Sequence, residues 1–167
     1  MKRQRCTSSE QATIDAGIEL ASSIVGGVVI AMEGPLGAGK TCLARGISIG
    51  LGVDARAVAS PTFAIVHEHE TSGDSAVARV YHIDAYRLSG SDDLESIGWS
   101  DLVGDPNGVV LVEWASRVEE ALPKGVWRID VSYDATDGRL LQLETSCGDL
   151  DASSTWDDPD ESFAGRG

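Results

Sequence analysis

Residues 34–41 read Gly34-Pro-Leu-Gly-Ala-Gly39-Lys40-Thr41 and fill every fixed position of the G-x-x-x-x-G-K-[ST] phosphate-binding loop. Glycines let backbone N–H groups curl around phosphate oxygens, and a following helix adds the positive end of its dipole. Lys40 would then reach the terminal phosphates, and the Thr41 hydroxyl would take a coordination position on Mg²⁺. The surroundings suit such a loop. An apolar, β-branched run at residues 27–32 predicts a buried parallel strand before it, and Leu43, Ile47 and Leu51 share one face of a helix after it. The fold class that follows is α/β: a P-loop NTPase three-layer fold with a mixed, mainly parallel central sheet and helices on both faces.

Thr7 and Glu10 stand at capping-box spacing, and Ile14, Ile18, Ala21 and Val25 recur at helical intervals, predicting an N-terminal helix of about four turns. Residues 63–70 and 77–86 predict a hairpin around residues 71–75, and residues 91–98, rich in acids at their start, predict a short helix. A second buried-strand run covers residues 108–113. A helix follows at residues 115–122, then a closing hairpin from residues 125–133 and 139–145 around Asp137-Gly138.

The 167 residues suit one domain, expected at residues 1–148, followed by an acidic tail at 149–167. From Asp149 onward there are six acids against one arginine, a composition that predicts disorder; the alternative is a docking or autoinhibitory tail anchored by Trp156 and Phe163. A net charge of −14 argues against autonomous grip on nucleic acid, so any RNA link passes through a partner. No run approaches the length of a membrane span, no secretory leader is apparent, and Cys6, Cys42 and Cys147 lack metal or disulfide spacing. A cytoplasmic protein with reduced thiols is expected.

A P-loop ATPase needs a further acid near Mg²⁺, delivered at a strand end. The strongly apolar strand 109–112 delivers Glu113, expected on the metal; strand 80–83 delivers Asp84, expected as a metal-shell ligand or as the base that orients attacking water. The bland reading of Asp84 is a strand-end carboxylate capping the next turn. Strand alternation would set His82, Asp84 and Tyr86 on one side, although a lone strand histidine is more often a hydrogen-bonded core residue. Arg87 could neutralise charge on a γ-phosphate or form a surface ion pair. Ser60-Pro61-Thr62 offers two hydroxyls on a constrained loop. The chain has no Asn-Lys-x-Asp guanine reader, its one asparagine being Asn107, so adenine is favoured.

With these residues assembled, the chain resembles the TsaE (YjeE) family of bacterial P-loop ATPases. The resemblance runs through Glu10-Gln-Ala-Thr13, GPLGAGKT, Ser60-Pro-Thr-Phe63, His82-x-Asp-x-Tyr-Arg-Leu88, Glu95-x-x-Gly98-x-x-Asp101 and Leu111-Val-Glu-Trp114, and covers most of residues 8–145. It implies that Leu36, Gly37, Ala38, Gly39, Lys40 and Thr41 hold the phosphates of ATP, that Thr41 and Glu113 bind Mg²⁺, and that Asp84 and Lys40 serve catalysis. Glu10 would lie near the base or sugar, with Trp114 and Arg139 also near the nucleotide. The implied function is slow ATP hydrolysis in forming N6-threonylcarbamoyladenosine at position 37 of tRNAs reading codons that begin with A. It would act by nucleotide-dependent association with the proteins TsaD and TsaB, touching tRNA only through them. Cys42 departs from the hydroxyl residue of many members, and the acidic tail has no matching family motif. Two other readings share the P-loop: a small-metabolite kinase with Asp84 as base, for which no Arg-rich lid is apparent, and a non-catalytic nucleotide-binding adaptor.

Overall fold

A computed structural model describes residues 1–58, 65–73, 75–135, 137–145 and Trp156. Seven strands form one sheet: β1 (Lys2–Thr7), β2 (Val28–Glu33), β3 (Val66–Glu70), β4 (Arg79–Asp84), β5 (Gly108–Glu113), β6 (Trp127–Tyr133) and β7 (Arg139–Glu144). Their order is β1-β7-β6-β2-β5-β4-β3. The four central strands β6, β2, β5 and β4 run parallel, and antiparallel partners close both edges. Both hairpins expected from the turn residues are present as β3–β4 and β6–β7.

The helices are α1 (Glu10–Ala21), α2 (Lys40–Gly50), α3 (Ser91–Glu95) and α4 (Trp99–Gly104), with 3₁₀ segments at Ala85–Arg87 and Ala115–Ala121. Alternation in the central strands splits the core. Ile30, Met32, Val80, Val109 and Leu111 pack toward α1 and α2, while Val29, Ala31, Tyr81, Ile83, Val110 and Val112 pack toward the short helices. The backbones of α1 and α2 touch: a Cβ on Gly46 would stand 2.1 Å from the Ile14 carbonyl oxygen, and one on Gly17 would stand 2.6 Å from that of Leu43. No described helix is long and apolar enough to cross a membrane.

Several local expectations are corrected. The cap of α1 is Ser9, whose hydroxyl accepts from Ala12 N at 3.1 Å, whereas Thr7 ends β1 and shares a 2.8 Å hydrogen bond with Thr13. The helix expected at residues 115–122 is a 3₁₀ segment, Ala115–Ala121, kinked at Val118. β4 stops at Asp84 because its carboxylate caps the Tyr86 N–H at 3.0 Å, so Tyr86 leaves the His82–Asp84 face. Trp156, from the acidic segment, is buried to 1% exposure and donates from Nε1 to the Ala16 carbonyl at 3.2 Å. Phe163, the rest of that segment and the Ser60-Pro61-Thr62 loop lie outside the described residues.

Candidate functional site

The loop at residues 34–39 leaves β2 and enters α2 at the carboxyl edge of the parallel strands, the edge at which open α/β sheets bind ligands. Its glycines are required by geometry. Gly39 caps α2 with φ 110°, and Gly34 has φ 137° with a would-be Cβ 2.1 Å from the Val131 carbonyl oxygen. Ala38 is buried and Leu36 is 79% exposed; the Leu36 carbonyl accepts from the Tyr133 hydroxyl at 3.2 Å.

Lys40 is folded back into the loop. Its Nζ donates to the carbonyls of Gly34 at 2.6 Å and Pro35 at 2.9 Å, and stands 3.8 Å from the centre of the Trp114 ring. Burial pushes its ammonium below the ordinary lysine value, against the pull of Glu113, Glu33, Asp84 and Asp130. Trp114 takes the left-handed conformation, φ 58°, directly after β5 and packs on Tyr86 with ring centres 5.0 Å apart.

Thr41 Oγ1 donates to Glu113 Oε2 at 2.9 Å, and His82 Nε2 lies 2.7 Å from Glu113 Oε1. Asp84 is the register partner of Glu113, so both carboxylates sit at the ends of adjacent parallel strands and on one face. Asp84 does serve as a turn cap, through the Tyr86 bond described above. Arg87 is exposed on the 3₁₀ turn that follows. Arg139 opens β7 beside the loop: its Nε would stand 3.0 Å from a Cβ on Gly39, and it is buried with no hydrogen-bond partner among the described residues.

Glu10, Ile14, Thr41, Cys42, Arg45, Val58 and His82 line a cavity of about 180 Å³ beside the start of α2. Burial, helped by Glu10, pushes the Cys42 thiol upward, which makes it a poor nucleophile. Sequence reasoning passed over Glu33. Its Oε2 accepts from Ser116 N at 2.9 Å, tying the start of the loop to the turn that carries Trp114. The available signal was its position at the end of a buried strand, like Glu113.

The sheet order, the glycine-lined loop and the strand-end acids define a P-loop protein of the α/β class. Comparison with known proteins narrows this. The family model for threonylcarbamoyl adenosine biosynthesis protein TsaE matches residues 7–141, and the chain belongs to that family. It is 40% identical over 115 residues to the tRNA threonylcarbamoyladenosine biosynthesis protein TsaE of Bacillus subtilis, covering 69% of this chain and 68% of that protein. Its identity to the Treponema pallidum protein of the same name is 36% over 143 residues, 83% of this chain and 98% of that one. The crystal structure of Bacillus subtilis YdiB superposes with a TM-score of 0.66 at 29% identity, covering 87% of this chain and 86% of that chain.

Proposed function

We propose that this protein binds and slowly hydrolyses ATP in the formation of N6-threonylcarbamoyladenosine at position 37 of tRNAs reading codons that begin with A. In this reading it works in the cytoplasm by nucleotide-dependent association with TsaD and TsaB. The names of its relatives support the pathway. The observation that carries the site is the Thr41–Glu113 hydrogen bond beside the buried ammonium of Lys40.

The residues fit a Mg²⁺–nucleotide. Gly39 leaves room where a side chain would press on Arg139, and the orphaned Arg139 Nε is a donor awaiting an anionic oxygen. Thr41 and Glu113 offer a hydroxyl and a carboxylate, the hard oxygen donors that suit Mg²⁺. A bound Mg²⁺ would neutralise charge on the phosphate oxygens. Leu36, Gly37, Ala38, Gly39 and Lys40 are assigned to the phosphates, with Lys40 also a catalytic charge once released from the Gly34 and Pro35 carbonyls. Glu10, on the wall of the adjoining cavity, is assigned to the base or sugar, and Trp114 is assigned to the nucleotide's phosphate side. Asp84 is assigned to orienting the attacking water. The acidic surface leaves tRNA contact to the partners.

The ATPase body is assigned to residues 1–148, with Trp156 as a docked anchor from the acidic segment at 149–167. The site assignment is tested by calorimetric ATP and ADP binding and by single-turnover hydrolysis. Wild-type protein is expected to bind both nucleotides and hydrolyse ATP slowly, and Lys40→Ala is expected to lose binding or turnover. Unchanged affinity and hydrolysis in Lys40→Ala would overturn it.

A further inference from the structure

Both oxygens of Glu113 have a partner. Thr41 Oγ1 donates to Oε2 at 2.9 Å, and His82 Nε2 holds Oε1 at 2.7 Å. A carboxylate that serves as a metal ligand only accepts, so the tautomer assigned to His82 in this reading is the one with its proton on Nε2. His82 and Glu113 are each 3% exposed. They reach each other diagonally across the parallel β4–β5 pair, where Asp84 and not His82 is the register partner of Glu113.

Taking an imidazole and a carboxylate out of water is costly, and apolar side chains of similar size would fill the same space at less cost. We infer that His82 is a positioning residue for the metal carboxylate, its Nε2–H fixing Glu113 Oε1 so that Oε2 alone is presented beside Thr41. The inference rests on the assignment of Thr41 and Glu113 to Mg²⁺. Two observations separate it from an ordinary buried histidine. Its acceptor is the second oxygen of the very carboxylate that Thr41 holds, and its ring lines the same cavity as Thr41 and Glu10. There is also a competing partner for Glu113. Of the acids that act on Lys40, Glu113 has the largest influence. With both Glu113 oxygens held by His82 and Thr41, Lys40 Nζ rests on the Gly34 and Pro35 carbonyls and on Trp114.

The test uses the full chain and ADP, with affinity measured calorimetrically in EDTA and across a Mg²⁺ titration, and with folding followed by circular dichroism. His82→Leu is expected to raise the half-saturating Mg²⁺ concentration about 10- to 100-fold, as loss of an outer-shell hydrogen bond to a metal ligand does, a larger loss than any change in its metal-free ADP affinity. His82→Gln, whose amide can donate to the same oxygen, should restore most of the response. His82→Asn, whose amide stops short, should not. A wild-type Mg²⁺ response in His82→Leu overturns the inference. Should His82→Leu fail to fold, equal Mg²⁺ responses in the Gln and Asn variants overturn it. Wild-type ADP binding that ignores Mg²⁺ overturns the underlying metal assignment as well, and is told apart by appearing before any substitution is made.

Discussion

Thr41 and Glu113, 72 positions apart in the chain, are joined by a 2.9 Å hydrogen bond at the mouth of the phosphate-binding loop. The bond exists because β2 and β5 are parallel neighbours, with Met32 the register partner of Glu113, so the loop leaving one strand meets the last residue of the other. In the proposed reading this hydroxyl and carboxylate would supply two of the six oxygen positions that Mg²⁺ takes, the others falling to phosphate oxygens and water.

Thr41→Val removes the hydroxyl while keeping the shape. It is expected to lower Mg²⁺-dependent ADP affinity about ten-fold, the cost of a lost charge-assisted hydrogen bond or ligand, and to lower the metal-free affinity less. Thr41→Ser should bind like the wild type. Calorimetry with and without EDTA reads both.

The depressed Lys40 value gives a pH dependence. Below the folded value the lysine is charged in both folded and unfolded chains and the burial penalty is carried in full. Between the folded value and the ordinary 10.5 the unfolded chain holds more protons, so the stability contributed by Lys40 rises with pH. Phosphate binding has the opposite sign, because it needs the ammonium. ADP affinity is therefore expected to fall on the alkaline side before pH 10.5, and this fall should be missing from the profile of Lys40→Arg, whose guanidinium does not titrate there. Isotherms from neutral pH to pH 10.5 measure it.

Gly46→Ala would set a methyl group 2.1 Å from the Ile14 carbonyl oxygen and force α1 from α2. Overpacking of this kind costs about 1–3 kcal/mol, read as a lower denaturant midpoint. ADP affinity should fall too, since Glu10 on α1 and the α2 start share the cavity wall.

Trp156→Ala is expected to destabilise the protein by about 3–5 kcal/mol, the cost of deleting a fully buried aromatic side chain. Trp156→Phe should lie between, keeping a ring but losing the bond to the Ala16 carbonyl. Thermal unfolding of the full chain checks the order.

How much of this was readable in the residues varies with the range of the interaction. The P-loop and the strands on either side of it were legible because fixed glycines and continuous apolar runs need no partner to be recognised. Strand β1 was not: Lys2, Arg3, Gln4 and Arg5 look like a charged terminus, and they form a strand because β7 supplies the backbone pairing. Helix α4 was missed because six residues that begin after a glycine carry no periodic signal. Asp84 and Glu113 could be nominated as strand-end acids, and the more apolar strand pointed to Glu113 for the metal, but the bond that joins it to Thr41 depends on the strand order. The partnership of His82 with Glu113 and the burial of Trp156 against α1 are likewise tertiary contacts, 31 and 140 positions apart.

The proposed switch is tested most directly by capture of the full-length protein on immobilised TsaD–TsaB in ATP, in ADP and without nucleotide, with Lys40→Ala alongside. The site around Lys40, Thr41 and Glu113 predicts strong capture in ATP, weaker capture in ADP or without nucleotide, and no ATP-dependent gain for Lys40→Ala. Equal capture under all three conditions, or no capture in ATP, would contradict it.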